Sequence, residues 1–280
     1  MIARFVAHRG APAALLLVAV AALSWAYVIA LEPHGMEVGV LLRPRVVTEH
    51  HKVMPASEMD VMDMSPSGTT SPSDRGAHAM ALPIFLIGWI VMMAAMMLPA
   101  IVPVVMLVSR WSHSQGQPAY RLLAFIAGYL IVWCAAGVFY YALIELSGSV
   151  VPSPLMGVRV GAVGLLIAGL YQFAPLKERC LTACRSPLGF LMTHGGRMAR
   201  GSHGYVEAGA KHGVFCLGCC WMMMVILVVL GVMNILWMVI MAGIIFIEKV
   251  ARFGAGFSKL TGGAVTAVGV ALIVAPGLII

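Results

Sequence analysis

Seven apolar stretches divide this chain, and they leave it little choice of architecture. They run from Ala11 to Leu31, Ala81 to Val108, Arg121 to Leu146, Gly157 to Phe173, Gly213 to Gly231, Asn234 to Val250, and Thr261 to Ile280. Each is close to the roughly 20 residues that a bilayer requires. Hydrocarbon offers no water to bond a bare peptide group, so each stretch must satisfy its own backbone as a helix. The expectation is an all-α membrane protein with about seven transmembrane helices. Only Gly231 to Asn234 separate the fifth and sixth stretches, which predicts a tight helical hairpin. One helix through both would contain about 35 apolar residues, far more than the membrane thickness allows. Arg4, His8 and Arg9 precede the first stretch. Its apolar core is long for a signal peptide and no small-x-small cleavage site follows, so it reads as a retained anchor.

Composition agrees. The chain is 61% hydrophobic and 10% charged, whereas soluble domains carry about 25% charged residues. A net charge of +7 might suit nucleic acid, but the basic residues sit in short connectors, where they set topology. No basic run is flanked by a stacking platform of aromatics, so nucleic acid is excluded as a partner. With the N-terminus in the cytoplasm, thirteen of the eighteen Lys and Arg residues face inward. Arg43, Arg45, Lys52, Arg75 and Arg159 are the five that face outward. That asymmetry predicts a cytoplasmic N-terminus and a multi-pass protein of the bacterial inner membrane. Three regions follow: an anchor helix over 1–31, a polar outward-facing loop over 32–80, and a six-helix membrane domain over 81–280. An inward-facing loop is expected from Ala174 to His212. Glu145 and Glu248 fall at the ends of their stretches and are read as solvated; Asn234 is placed in the hairpin turn.

Sulfur is the chemistry this sequence repeats. Cys216, Cys219 and Cys220 stand at i, i+3 and i+4, which on a helix puts three thiols on one stripe. Met223 continues that stripe, and His212 extends it backwards if the helix begins early enough. Cys180 and Cys184 form an i, i+4 pair beside Lys177, Arg179 and Arg185, cations that favour thiolate over thiol. Met92, Met93, Met96 and Met97 occupy an arc of about 140° on one helix. Pro99 and Pro103 follow and free backbone carbonyls. Thiolates and thioethers select Cu(I). Four thiols drawn from the two cysteine groups would equally satisfy zinc, which takes about four ligands. For every group a packing reading stands beside the metal reading, since Cys and Met also fill apolar cores. The outer loop adds Met54, Met59, Met62, Met64 and Met80 with His34, His50, His51 and His78, a compositional pattern of metal capture. No disulfide framework, phosphate loop, Ser-His-Asp arrangement or haem attachment is present in the sequence, which points away from an enzyme.

Three motifs occur in a fixed order: Met92-Met93-Ala94-Ala95-Met96-Met97-Leu98-Pro99, then Lys177-x-x-Cys180-x-x-x-Cys184-Arg185-x-Pro187, then Gly213-x-x-Cys216-x-Gly218-Cys219-Cys220-Trp221. Together they resemble the bacterial family described as predicted metal-binding integral membrane proteins. The similarity covers roughly Leu82 to Ile280. The resemblance implies a multi-span helical fold and a metal site, with copper the metal most often proposed, at Met92, Met93, Met96, Met97, Cys180, Cys184, Cys216, Cys219 and Cys220. The expected function is Cu(I) handling: binding, delivery or insertion for a membrane copper enzyme. Two alternatives are an accessory subunit of a copper monooxygenase or respiratory oxidase, holding copper or architectural zinc, and a thiol-redox membrane protein.

Overall fold

The computed structural model describes residues 2–31, 72–150, 154–230 and 235–275. The expected outer loop as far as residue 71 and the expected hairpin turn at 231–234, Asn234 included, lie outside them. Among the described residues the chain is helical and contains no strand. The helices are α1 (Ile2–Leu31), α2 (Pro72–Ser114), α3 (Tyr120–Val150), α4 (Pro154–Tyr171), α5 (Pro175–Arg185), α6 (Pro187–Met198), α7 (Ser202–Leu230), α8 (Ile235–Val250) and α9 (Gly254–Val274).

Among the described residues, five stretches are long and apolar enough to cross a membrane: Pro12–Ala30, Leu82–Ser114, Tyr120–Leu146, Ser202–Val228 and Gly254–Val274. Gly157–Tyr171 and Pro175–Arg185 make a sixth if taken as one span bent by 62°. The expected multi-span, all-helical architecture is thus present. Helix α8 carries Glu248 and Lys249 in its last turn, both buried against protein. The solvated position expected for Glu248 is thus wrong, whereas Glu145 is exposed as expected. The stretch expected as an inward loop over 174–212 is also mostly helix, folded as α5, α6 and the first turns of α7. Residues 72–80, assigned to the outer loop, open α2.

Two breaks place the functional elements. Pro175 is the first residue of α5, and Ala174 before it is extended (φ −67°, ψ 137°). A residue preceding proline is pushed out of the helical region, so the chain bends between α4 and α5. Pro187 acts likewise on Ser186 (φ −112°, ψ 73°), separating α5 from α6.

Helix α7 is the centre of the fold and packs on α3, α4, α5, α6 and α8. Its approach to α3 needs two glycines. A Cβ at Gly209 would overlap the Phe125 carbonyl oxygen, and one at Gly128 would overlap the Val206 carbonyl oxygen. Small residues let helix backbones approach closely where lipid supplies no hydrophobic drive.

Helix α2 carries the methionine run, and Met92, Met93, Met96 and Met97 are all buried. Pro99 has no N–H to give the Ala95 carbonyl one turn before it. The Trp25 indole of α1 donates to that oxygen instead (3.1 Å). The Trp89 indole in turn donates to the Trp133 carbonyl of α3 (2.9 Å), tying α2 to α3.

Gly209→Val and Gly128→Val each force α3 and α7 apart, an overpacking loss of about 2 kcal/mol or more. Thermal unfolding in detergent checks this. Gly263→Ala, where an added Cβ meets open space, should leave the transition in place.

Candidate metal centre

Helix α5 is pinned at both ends of its functional segment. Lys177 donates to Glu248 Oε2 of α8 (2.8 Å), with both side chains about 2% exposed. The same ammonium donates to Gln172 Oε1, which also accepts from Ser258 Oγ of α9 (3.2 Å). Eight residues on, Arg185 donates to the carbonyls of Ala251 (2.7 Å) and Arg252 (3.0 Å) beyond α8. It also reaches the Glu248 carbonyl (3.4 Å). A guanidinium at a helix C-terminus satisfies carbonyls that have no partner in the helix and meets the negative end of its dipole. Between the clamps lie Cys180 and Cys184, one turn apart as the sequence predicts. Cys180 is seated on α7 at Gly218, where an added Cβ would come 2.7 Å from its Sγ.

On α7 the cysteines sit well inside a helix that begins at Ser202. That early start places His212 on the cysteine stripe, one turn before Cys216. The Cys219 and Cys220 thiols both donate back to the Cys216 carbonyl (3.1 and 2.9 Å). Phenols from two neighbouring helices fix the segment. Tyr171 OH of α4 donates to the Gly218 carbonyl (2.5 Å), and Tyr140 OH of α3 donates to the Trp221 carbonyl (2.6 Å). Tyr129 OH of α3 bonds the Cys216 sulfur itself (3.1 Å).

The feature absent from the sequence reading is Lys249. Its ammonium enters from α8 and lies 2.9 Å from Cys216 Sγ and 3.8 Å from Met97 Sδ of α2. Cys184, Cys216, Cys219 and Cys220 all lie within its electrostatic reach. Among the described residues Lys249 has no carboxylate partner; the adjacent Glu248 is committed to Lys177. A buried cation without a counter-charge is costly, and here the available counter-charges are sulfur.

The sequence-predicted residues are thus brought together in part. Cys216 and Met97 contact one ammonium, Cys184, Cys219 and Cys220 lie within its electrostatic reach, and Cys180 is seated over Gly218. His212 is 2% exposed and its Nδ1 has no partner among the described residues, while Phe125, Tyr129 and Phe190 line its ring. Met223 is turned away: its sulfur accepts a bond from Gln172 Nε2 (3.4 Å). Met92, Met93 and Met96 are buried in the core and make no bond to the thiols. All six cysteines are free. No group of three or more His, Cys, Asp or Glu side chains among the described residues is set to hold a metal ion, so the four-ligand zinc arrangement is not assembled. What the centre offers is soft: clustered sulfur and an unpartnered imidazole nitrogen, with the neighbouring carboxylate of Glu248 paired to Lys177. That chemistry fits a soft monovalent ion and suits hard divalent ions poorly.

Lys249 and Glu248 end a stretch that reads as one more span, so their charges pass for topology signals. The tyrosines left no clue either, because their partners lie 47 to 87 residues away.

Residues 86–272, more than half of the chain, match the family described as PpoB2, copper chaperone. No curated protein matches, and no solved structure does.

Lys177→Met or Glu248→Gln alone leaves one buried charge unpaired and should cost about 3–5 kcal/mol. The double variant should recover much of that loss. Unfolding of the single and double variants in detergent, analysed as a cycle, checks the coupling.

Proposed function

The chain belongs to the PpoB2 copper chaperone family, and on that premise we propose that its sulfur cluster holds Cu(I) and passes it to a membrane copper enzyme. The supporting observation is the gathering of Cys184, Cys216, Cys219, Cys220 and Met97 around one buried cation position. Thiolates bind Cu(I) tightly, and thioethers bind it weakly enough to release it. Cysteine therefore serves retention and methionine serves exchange. Cys216 is the central ligand, and one neighbouring thiol completes a two-coordinate set. Met97 leads from that set into the buried methionine run of α2, which gives the ion a soft path along a span. His212 offers an imidazole nitrogen one turn from Cys216.

Transfer is ligand exchange. The ion leaves one sulfur as another arrives, and its oxidation state does not change. The sequence contains no phosphate-binding loop to couple the movement to a nucleotide, so a partner with tighter ligands sets the direction. With the N-terminus in the cytoplasm, as the charge asymmetry indicates, the cysteines lie toward the inner face and the Met/His loop meets the partner outside.

The purified full-length protein, reduced and loaded in detergent, should retain about one Cu(I), bound through sulfur by X-ray absorption. Cys216→Ser should weaken binding by about 100-fold or more, the upper range seen even for indirect contacts. A wild-type protein that holds no copper yet co-purifies with a multi-subunit enzyme would replace this reading with the accessory-subunit one.

A further inference from the structure

The ammonium of Lys249 lies against the sulfurs of Cys216 and Met97, and nothing in the copper reading requires it there. We propose that Lys249 is a specificity-determining residue: a tethered positive charge that makes the site accept a monovalent soft ion and refuse its divalent counterpart. This rests on the proposal that the cluster is a Cu(I) site.

The argument is one of charge at short range. Cu(I) and Zn(II) have the same d10 electron count, as do Ag(I) and Cd(II), and thiolates bind all four. Sulfur ligation alone is therefore a poor discriminator between the members of each pair. They differ by one unit of charge. An ion bound to Cys216 Sγ must sit within a few ångströms of a group that stands 2.9 Å from that sulfur. Lys249 is 8% exposed, and its backbone lies in the last turn of α8. That end of α8 is held by the Lys177–Glu248 pair and by Arg185. The ammonium can shift to admit an ion, yet it cannot leave for water. Repulsion between it and the ion is then about twice as large for a divalent ion as for a monovalent one. In a medium of low dielectric that difference is not screened away. Among the described residues no carboxylate pairs with Lys249, and Glu248 Oε2 is taken by Lys177. For a monovalent ion held by two thiolates, the ammonium cancels the one surplus negative charge and leaves the buried site neutral. A divalent ion in the same two-thiolate set leaves it with a net positive charge.

The test compares two ion pairs on the detergent-purified protein. Competition titrations give the affinity ratio of Ag(I) to Cd(II), and under reductant that of Cu(I) to Zn(II), for wild type, Lys249→Met, Lys249→Gln and Lys249→Arg. Loss of the charge in Lys249→Met and Lys249→Gln should lower both ratios by about tenfold or more, chiefly by admitting Cd(II) and Zn(II). Lys249→Arg keeps the charge and should keep ratios within a few-fold of wild type. Unchanged ratios in the neutral variants, or an arginine variant that behaves like them, would overturn the role. If the neutral variants do not fold, the arginine variant and wild type still decide, since wild-type protein that takes Cd(II) as readily as Ag(I) also overturns it. Failure of the copper reading has a different signature: wild type then binds neither Cu(I) nor Ag(I) at the cysteines.

Discussion

The buried pair between Lys177 and Glu248 holds this centre together. It joins α5, which brings Cys180 and Cys184, to α8, which brings Lys249, across a sequence separation of 71 residues. Isolated buried ion pairs often contribute little net stability, because desolvation consumes most of the Coulomb gain. Their value lies in geometry: either charge alone is so unfavourable that alternative packings are excluded. Arg185 adds a second point of attachment at the end of α8. With both in place the chain has few ways to seat α5 against α7 other than with Cys180 over Gly218.

Around that clamp the protein resolves a conflict between apolar surroundings and polar chemistry. Backbone carbonyls near the cysteines accept phenol hydroxyls from Tyr140 and Tyr171, and thiols return bonds to their own helix. Each such bond immobilises a group that a metal site needs fixed, and rigid support of ligands is what sets affinity. Among the described residues, the charge in hydrogen-bonding contact with a cysteine sulfur is the Lys249 ammonium.

Much of this was legible in the amino-acid sequence, for clear physical reasons. Long apolar stretches must be helices in lipid, so the spans of α2, α3, α7 and α9 could be read directly. The i, i+3, i+4 spacing of Cys216, Cys219 and Cys220 needs only helix geometry, as does the Cys180/Cys184 pair. Hydropathy failed where a segment is helical but not uniformly apolar. The connector over 174–212 carries enough charge to look like a loop, while its prolines at 175 and 187 in fact start two short helices. The centre itself was legible only in its sulfur half. Lys249, Glu248 and the tyrosines act through contacts between distant segments, and spacing within one helix says nothing about those. Met223 lies on the cysteine stripe, and its sulfur accepts a bond from Gln172 that spacing within one helix could not foretell.

The seating of α1 has a consequence of its own. Its indole at Trp25 bonds an oxygen that Pro99 left open, so the two helices recognise one another through a missing hydrogen. Such a joint is a lock cut by subtraction. Any other residue at position 99 would carry an amide, that amide would reclaim the Ala95 oxygen, and the N-terminal helix would lose its keyhole without a single one of its own atoms being altered.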